Sequence, residues 1–278
     1  MPKVTLIVCV YGDRVPLARL LAQSSECYDE LLVIHDEPDF ENVESLIRSH
    51  GGRFVIRPRA FSQEPHIPFA LGEASYDWIL RFDADEFPSP ELRSWIIQFR
   101  EAPEPESEVS DYRCIWPAWD GAHAITKRWP NNRLFLFHRQ RVQMIGVSEQ
   151  GILPERKSVK LPLTLCHEPS IRTHGLENLF AKGRTMSGRK RIVEALLESP
   201  LKHPRWRYES EEWPLLWEQI RRHPLLTLAR RLFVWPFRQA GAMVLAREFP
   251  RPSLFMHAAI FHALVCFDFW KARRRLSK

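Results

Sequence analysis

The chain has 278 residues, of which 45% are hydrophobic and 27% are charged. This length suits one large α/β domain with an appendage, and the apolar content excludes a wholly disordered chain. The five cysteines are scattered without a C-x-x-C pair, which disfavours a zinc site and favours free, buried thiols over a disulfide framework. Residues 1–150 carry a formal charge of −7 and residues 151–278 carry +13. So basic a half favours an anionic partner, either nucleic acid or a membrane surface.

Four β-type runs occur early in the chain, separated by segments with apolar residues at helical spacing. They are VTLIVCV (4–10), ELLVIHD (30–36), RFVIRP (53–58) and DWILRFD (77–83). We interpret the first as a strand and not as a targeting signal. The strand–helix alternation predicts an α/β fold with a doubly wound, mostly parallel sheet. Ligands bind beyond the carboxyl ends of such strands, so we expect Asp36, Asp83 and Asp85 on one rim.

The pattern changes after residue 88. PSPELRSWIIQFREA predicts a helix that begins at Ser89 or Pro90. Further strands are predicted at YRCIWPAW (112–119), NNRLFLFHR (131–139) and LPLTLCHEP (161–169), with the first two antiparallel. Helices are expected from residue 176 onward. We therefore predict one domain over residues 1–200 and a helical, amphipathic extension over residues 201–278.

The extension combines apolar and basic residues. RRHPLLTLARRLFVWPFRQAGAMVLAREF (221–249) interleaves arginines with Leu, Phe and Trp, and SLFMHAAIFHALVCFDFW (253–270) is followed at once by KARRR. Eighteen residues is the lower edge of a membrane span, and His257, His262 and Asp268 disfavour one. We favour a helix lying on an anionic membrane surface, with core packing and a true span as the alternatives.

The stretch WILRFDADEF (78–87) is an apolar run that ends in Asp83, Asp85 and Glu86. Three acids so close together repel one another unless a positive charge lies among them. Two carboxylates separated by one residue at the mouth of a parallel sheet suit Mg²⁺ or Mn²⁺. Such an ion neutralises the charge that develops on a leaving diphosphate. We therefore predict a divalent metal that carries a nucleotide diphosphate.

These motifs resemble those of family-2 glycosyltransferases of the GT-A fold, over about residues 3–185. The motifs that carry the resemblance are VTLIVCVYG, ELLVIHDEP and WILRFDADEF. Within that family the chain is most similar to bacterial enzymes of lipopolysaccharide core assembly, through RLF (133–135), VSEQ (147–150), LCHEP (165–169) and ENLFAKGR (177–184). It departs from the family in Ser148, where a histidine usually precedes the glutamate, and in HDEP, where DDGS or DSGS is usual.

The resemblance implies an inverting, metal-dependent transfer of a sugar from a nucleotide-diphosphate donor, most often a UDP-sugar, to a lipid-linked or lipopolysaccharide-type acceptor. Asp36 would contact the base or ribose of the donor. Asp83 would approach the ribose or the metal, and Asp85 would bind the metal directly. Glu149 would be the general base that deprotonates the acceptor hydroxyl.

The resemblance also implies roles for three further residues. His167 would complete the metal shell as a neutral imidazole. Lys182 and Arg184 would hold the diphosphate or an anionic acceptor. A lipid-linked acceptor and the basic charge of residues 151–278 together predict a peripheral enzyme on the inner, cytoplasmic face of the cytoplasmic membrane.

Three other functions compete with this prediction. A nucleotidyltransferase usually has a Gly-rich loop directly after its first strand, whereas VYGDRVPLARL contains a single glycine. A nucleic-acid adaptor would show a recognised module or aromatics in a basic groove, and the acidic half would repel phosphate. A membrane-associated scaffold that keeps the fold without catalysis stays open.

Overall fold

The computed structural model describes residues 1–39, 41–58, 63–119, 122–128, 130–144, 152–168, 189–190, 192–193, 196–197, 215–248 and 252–276. Within these residues the strands are β1 (Val4–Val10), β2 (Glu30–Asp36), β3 (Arg53–Arg57), β4 (Trp78–Arg81), β5 (Glu86–Pro88), β6 (Val109–Ile115), β7 (Arg133–His138), β8 (Val142–Gln143), β9 (Leu153–Pro154) and β10 (Lys157–His167). All but β8 and β9 join one sheet, and those two pair with each other.

The sheet has the strand order β3-β2-β1-β4-β7-β6-β10-β5. Strands β3, β2, β1 and β4 run parallel. Strand β7 is antiparallel to both β4 and β6, while β10 is parallel to β6 and antiparallel to β5. The predicted mostly parallel α/β sheet and its antiparallel strands β6 and β7 are confirmed. Strand β5 was not predicted, because three residues are too few to show a period.

Helices cover both faces of the sheet. They are α1 (Arg14–Ser24), α2 (Val43–Ser49), α3 (Ile67–Glu73) and α4 (Pro90–Glu101). Leu6 and Val8 of β1 face the core that α1, α2 and α4 cover, whereas Ile7 faces the core that α3 covers, because successive strand side chains point to opposite faces. Ser89 caps α4 as predicted, with its hydroxyl accepting from the Leu92 N–H at 3.2 Å.

The C-terminal part is helical, with α5 (Leu215–Arg222), α6 (Pro224–Phe233), α7 (Trp235–Leu245) and α8 (Pro252–Leu276). It has a core of its own, in which Phe261, Val265 and Phe269 of α8 pack with Ile220 of α5 and Ile192. The apolar segment 253–270 therefore includes a face that is buried in protein. Among the described residues, none of the helices combines the length and the apolar content that a membrane span requires.

Candidate functional site

The rim that the sequence predicts for the aspartates is the edge of the sheet at which the parallel strands end. Asp36 is the last residue of β2, and Asp83 follows β4 by two residues. Strand β1 lies between β2 and β4, with Val10 opposite His35 and Ile7 opposite Arg81. Parallel neighbouring strands end at the same edge of a sheet. The structure therefore brings the carboxyl ends that carry Asp36 and Asp83 to one edge.

At β2, Asp36 is buried and lies against a histidine. The Nε2 atom of His66, in the short 3₁₀ turn Glu64–His66, is 3.1 Å from Oδ1 of Asp36. The His66 side chain is itself buried. A buried carboxylate needs such a partner, because an unpaired one would carry the full cost of desolvation. Sequence reasoning missed His66, because it lies 30 residues from Asp36 and in no strand.

At β1, the chain turns sharply beyond Val10. Gly12 and Asp13 have φ angles of 70° and 58°, in the left-handed region that favours glycine. The Gly12 N–H donates to Nε2 of the buried His35 at 3.0 Å. This hydrogen bond holds the loop between β1 and α1 against the end of β2, beside Asp36.

At β4, an arginine lies among the clustered acids. Arg133, from β7, donates through Nε and Nη2 to both carboxylate oxygens of Glu86, at 2.8 and 2.6 Å. Its Nη2 atom is also 3.4 Å from Oδ1 of Asp83, and Arg81 Nη2 is 3.6 Å from the same oxygen. The Asp83 N–H donates to Glu86 at 2.8 Å. Two-point pairing of this kind is the strong form of an arginine–carboxylate contact.

The arrangement corrects one expectation from the sequence. The sequence predicts that a bound ion supplies the positive charge among Asp83, Asp85 and Glu86. The fold itself supplies guanidinium groups: Arg133, from the distant strand β7, meets both Asp83 and Glu86, and Arg81, at the end of β4, lies near Asp83. The signal was present in the sequence, since Arg133 begins the RLF motif, but a linear pattern does not show which acid an arginine meets.

Asp83 and Glu86 differ in how readily they take up a proton. Burial raises the pKa of Glu86 to about 7 against the opposing charge of Arg133, and the charge on Asp83 adds to the rise. For Asp83, the guanidinium charges of Arg133 and Arg81 outweigh the effect of burial and lower the pKa. Neighbouring carboxyl groups often have separated pKa values for this reason. Asp83 therefore stays ionised at neutral pH.

Asp85 and His167 lie beside each other at the edge of this cluster. Strand β5 pairs with β10 so that Glu86 is opposite His167, and the Glu168 N–H donates to the Asp85 carbonyl at 2.9 Å. This pairing leaves His167 Nε2 at 3.7 Å from Asp85 Oδ2. The His167 ring stacks on Trp116, with 4.2 Å between centroids and 20° between planes. The stack limits how far the imidazole can turn.

Asp85 and His167 are suitable donors for a divalent ion. A carboxylate and an imidazole suit Mn²⁺, and a carboxylate suits Mg²⁺. Within the described residues no group of three or more His, Cys, Asp or Glu side chains has metal-binding geometry. With these two donors, an ion would take its other ligands from a phosphate group and water.

The remaining predicted site residues are Glu149, Lys182 and Arg184. They lie outside the described residues, so their predicted roles stay predictions.

Comparison with known proteins gives distant structural likenesses. No family model matches the sequence, and no curated protein matches it. A mannosyltransferase, PcManGT of Pyrobaculum calidifontis, solved with GDP-Man and Mn²⁺, is similar over 95% of this chain and 86% of its own, at 15% identity and a TM-score of 0.49. TarS of S. aureus is similar over 97% and 92%, at 10% identity and a TM-score of 0.43.

A third similar structure is glucosyl-3-phosphoglycerate synthase of Mycobacterium tuberculosis, solved with UDP. It covers 70% of this chain and 79% of its own, at 13% identity and a TM-score of 0.45.

Proposed function

We propose that this protein is an inverting glycosyltransferase of the GT-A type that uses a nucleotide-diphosphate sugar. The observation that carries the proposal is the common rim. Asp36 ends β2 and the ionised Asp83 follows β4, on either side of β1. Asp85, two residues after Asp83, lies against His167 where β5 pairs with β10. This is the edge at which an open α/β sheet binds its ligands.

The residues at the rim each bind a different part of the sugar-nucleotide donor. Asp36, held by His66, accepts a hydrogen bond from the nucleoside. Asp83 is kept ionised by Arg81 and Arg133, and it accepts from the ribose hydroxyls. Because the Asp83 carboxylate is already charged and already oriented, little free energy is spent on arranging it when the nucleotide sugar binds.

Asp85 and His167 would hold a divalent ion beside the donor diphosphate. When bound, the ion neutralises the charge that develops on the diphosphate as it leaves. Trp116 keeps the His167 ring in place, and the β5–β10 pairing keeps Asp85 beside it. Glu149, as the base, would take the proton of the acceptor hydroxyl while that oxygen bonds to the anomeric carbon from the face opposite the diphosphate. The bond between the anomeric carbon and the diphosphate breaks as the new one forms, which inverts the configuration.

We further propose a lipid-linked or lipopolysaccharide-type acceptor at the inner face of the cytoplasmic membrane. Two features support this: the formal charge of +13 on residues 151–278, and large apolar side chains that are exposed on the C-terminal helices. An anionic membrane attracts the positive charge, and the exposed apolar side chains can insert into its interface.

The test is release of nucleoside diphosphate from a panel of UDP- and GDP-sugars, with Mn²⁺, with Mg²⁺ or with a chelator. We expect metal-dependent release, and Asp85→Asn should lower it by about 10²-fold or more because the metal loses its charged ligand. The matched control is Asp77→Asn. Asp77 stands at the other end of β4, where it pairs with Arg139 at 2.8 Å, so release should stay within about twofold of the unmodified protein, since loss of a partly exposed ion pair changes little.

Other outcomes are decisive against the proposal. Pyrophosphate released from nucleoside triphosphates, without diphosphate from sugar nucleotides, would identify a nucleotidyltransferase. Folded protein that releases nothing from any donor would identify a scaffold. Equal activity of the Asp85→Asn and Asp77→Asn variants would remove Asp85 from the site.

A further inference from the structure

The outward side chains of α6 and α7 are large and apolar. Phe233 is 70% exposed, Phe237 is 78% exposed and Leu245 is 87% exposed. Leu225 and Leu226, at the start of α6, are also more than half exposed. A surface helix of a water-soluble protein normally turns its polar face to solvent. An exposed apolar surface spread over two consecutive helices indicates a binding surface.

The opposite faces of these helices are the ones that pack. Thr227 on α6 and Pro236 and Met243 on α7 are buried, and Leu228 joins the helical core. Both helices contact α8. Leu226, Phe233, Phe237, Val244 and Leu245 recur at helical spacing on the side turned away from these contacts. We call this side the outward face of α6 and α7.

The charged residues on the outward face are arginines. Arg230 of α6 and Arg238 of α7 are exposed and lie among the apolar side chains. Residues 215–248 contain six arginines and two glutamates. One of these, Glu248, accepts hydrogen bonds from the Lys127 and Arg128 N–H groups, at 2.6 and 2.7 Å. The exposed arginines therefore give this face a positive field that a negatively charged partner would complement.

We propose that the outward face of α6 and α7 docks on an anionic lipid bilayer. Phe233, Phe237 and Leu245 enter the boundary between headgroups and acyl chains, and the arginines lie at the lipid phosphates. Aromatic and aliphatic side chains beside basic ones bind in this way. The membrane contact therefore lies on α6 and α7 and not on residues 253–270, where the sequence predicts it. Phe261 and Phe269 of α8 are only 7% and 2% exposed.

A bilayer fits this face better than a second copy of the chain. In a twofold dimer the same surface of each subunit meets itself. Arg230 and Arg238 of both subunits would then share one interface, and like charges repel most where water is excluded. Lipid phosphates offset those charges instead.

The docked face is connected to the candidate site through one loop. Met243, on the inner side of α7, packs with the buried Ala118, and Glu248 binds the backbone at residues 127 and 128. The same loop begins at Trp116, which stacks on His167. A membrane-borne acceptor would therefore arrive close to the rim. This step rests on the proposed function, whereas the docking itself does not.

The experiment is co-sedimentation of the full chain with vesicles of phosphatidylcholine, with and without about 30% phosphatidylglycerol. We expect binding that needs the anionic lipid and that weakens between about 0.1 M and about 0.5 M NaCl, because salt screens the arginines. Phe233→Ser/Phe237→Ser should weaken binding about tenfold or more, since two exposed rings no longer enter the bilayer. Arg230→Gln/Arg238→Gln should weaken it by a similar factor through the charge.

The matched control is Val15→Ser/Ile56→Ser. It removes two exposed apolar side chains far along the chain from α6 and α7: Val15 of α1 is 81% exposed and Ile56 of β3 is 47% exposed. This variant should bind as the unmodified chain does. Circular dichroism checks that each variant folds. Equal binding to neutral vesicles, or unchanged binding of both α6–α7 variants, would overturn the proposal. So would a dimer in solution that Phe233→Ser/Phe237→Ser dissociates, without vesicle binding by the unmodified chain.

Failure here is separable from failure of the proposed function. Nucleotide release is measured without lipid and depends on Asp85, while vesicle binding is measured without a donor. A chain that hydrolyses sugar nucleotides but ignores vesicles would keep the reaction and lose the docking face.

Discussion

The sheet and the C-terminal helices place their charged groups differently. In the sheet, acids are buried beside a specific partner: Glu86 lies against Arg133 and Asp111 against Arg113. On α6 and α7, arginines are exposed beside exposed phenylalanines. A buried pair orients a side chain for one ligand, whereas exposed charges attract any surface of opposite sign. This difference agrees with the two proposals: the sheet would bind one small donor molecule, and the helices would bind the extended surface of a membrane.

The largest expected effect tests the buried charges of the sheet. Arg133→Met leaves Glu86 and Asp83 without their main guanidinium partner, and we expect a loss of about 3 to 5 kcal/mol in the free energy of unfolding. Urea denaturation followed by circular dichroism measures it. Arg48→Met is the matched control, because Arg48 forms an exposed pair with Glu44 on α2, and such pairs contribute less than about 1 kcal/mol.

A second substitution separates stability from charge at the same place. Arg133→Met/Glu86→Leu removes both members of the pair and should recover a large part of the lost stability, since no buried Glu86 charge is left uncompensated. A double variant as unstable as Arg133→Met would show that packing of the Arg133 side chain, and not its charge, stabilises this part of the sheet.

The next effect concerns the core of the helices. Phe269→Ala opens a cavity between α8 and its neighbours, and we expect a loss of about 3 kcal/mol. Phe267→Ala, two residues away on the same helix, removes a side chain that is 45% exposed and should cost clearly less. Thermal unfolding of the two variants compares them directly. Equal losses would mean that α8 has no buried side, and the contrast between α8 and the outward face of α6 and α7 would disappear.

The smallest effect concerns the contact between the two regions. Glu248→Ala removes the acceptor for the Lys127 and Arg128 N–H groups, and we expect a loss of about 1 kcal/mol. Amide hydrogen exchange at residues 127 and 128 should accelerate, because these groups lose their partner. Glu44→Ala, at an exposed ion pair on α2, should leave exchange at those residues unchanged. Unaltered exchange in Glu248→Ala would show that the loop does not depend on the helices.

Much of the sheet could be predicted from local pattern. Runs such as VTLIVCV are apolar throughout, as strands covered on both faces must be, and Ser89-Pro90 marks a helix start by its own chemistry. The position of Asp36 and Asp83 at strand ends also followed from pattern, since an apolar run stops where the strand leaves the core. Strand β5 was missed because only its pairing with β10 defines it.

By itself, then, the sequence determined the parallel strands, their acidic ends and the division into an acidic and a basic half, because each depends on residues that are neighbours along the chain. The tertiary structure alone decided that Arg133 meets Glu86 and Asp83 and that His66 meets Asp36. It also decided that α6 and α7 expose large apolar side chains while one face of α8 is buried. These outcomes depend on which distant segments pack together, and packing is set by the whole core and not by any one stretch of residues.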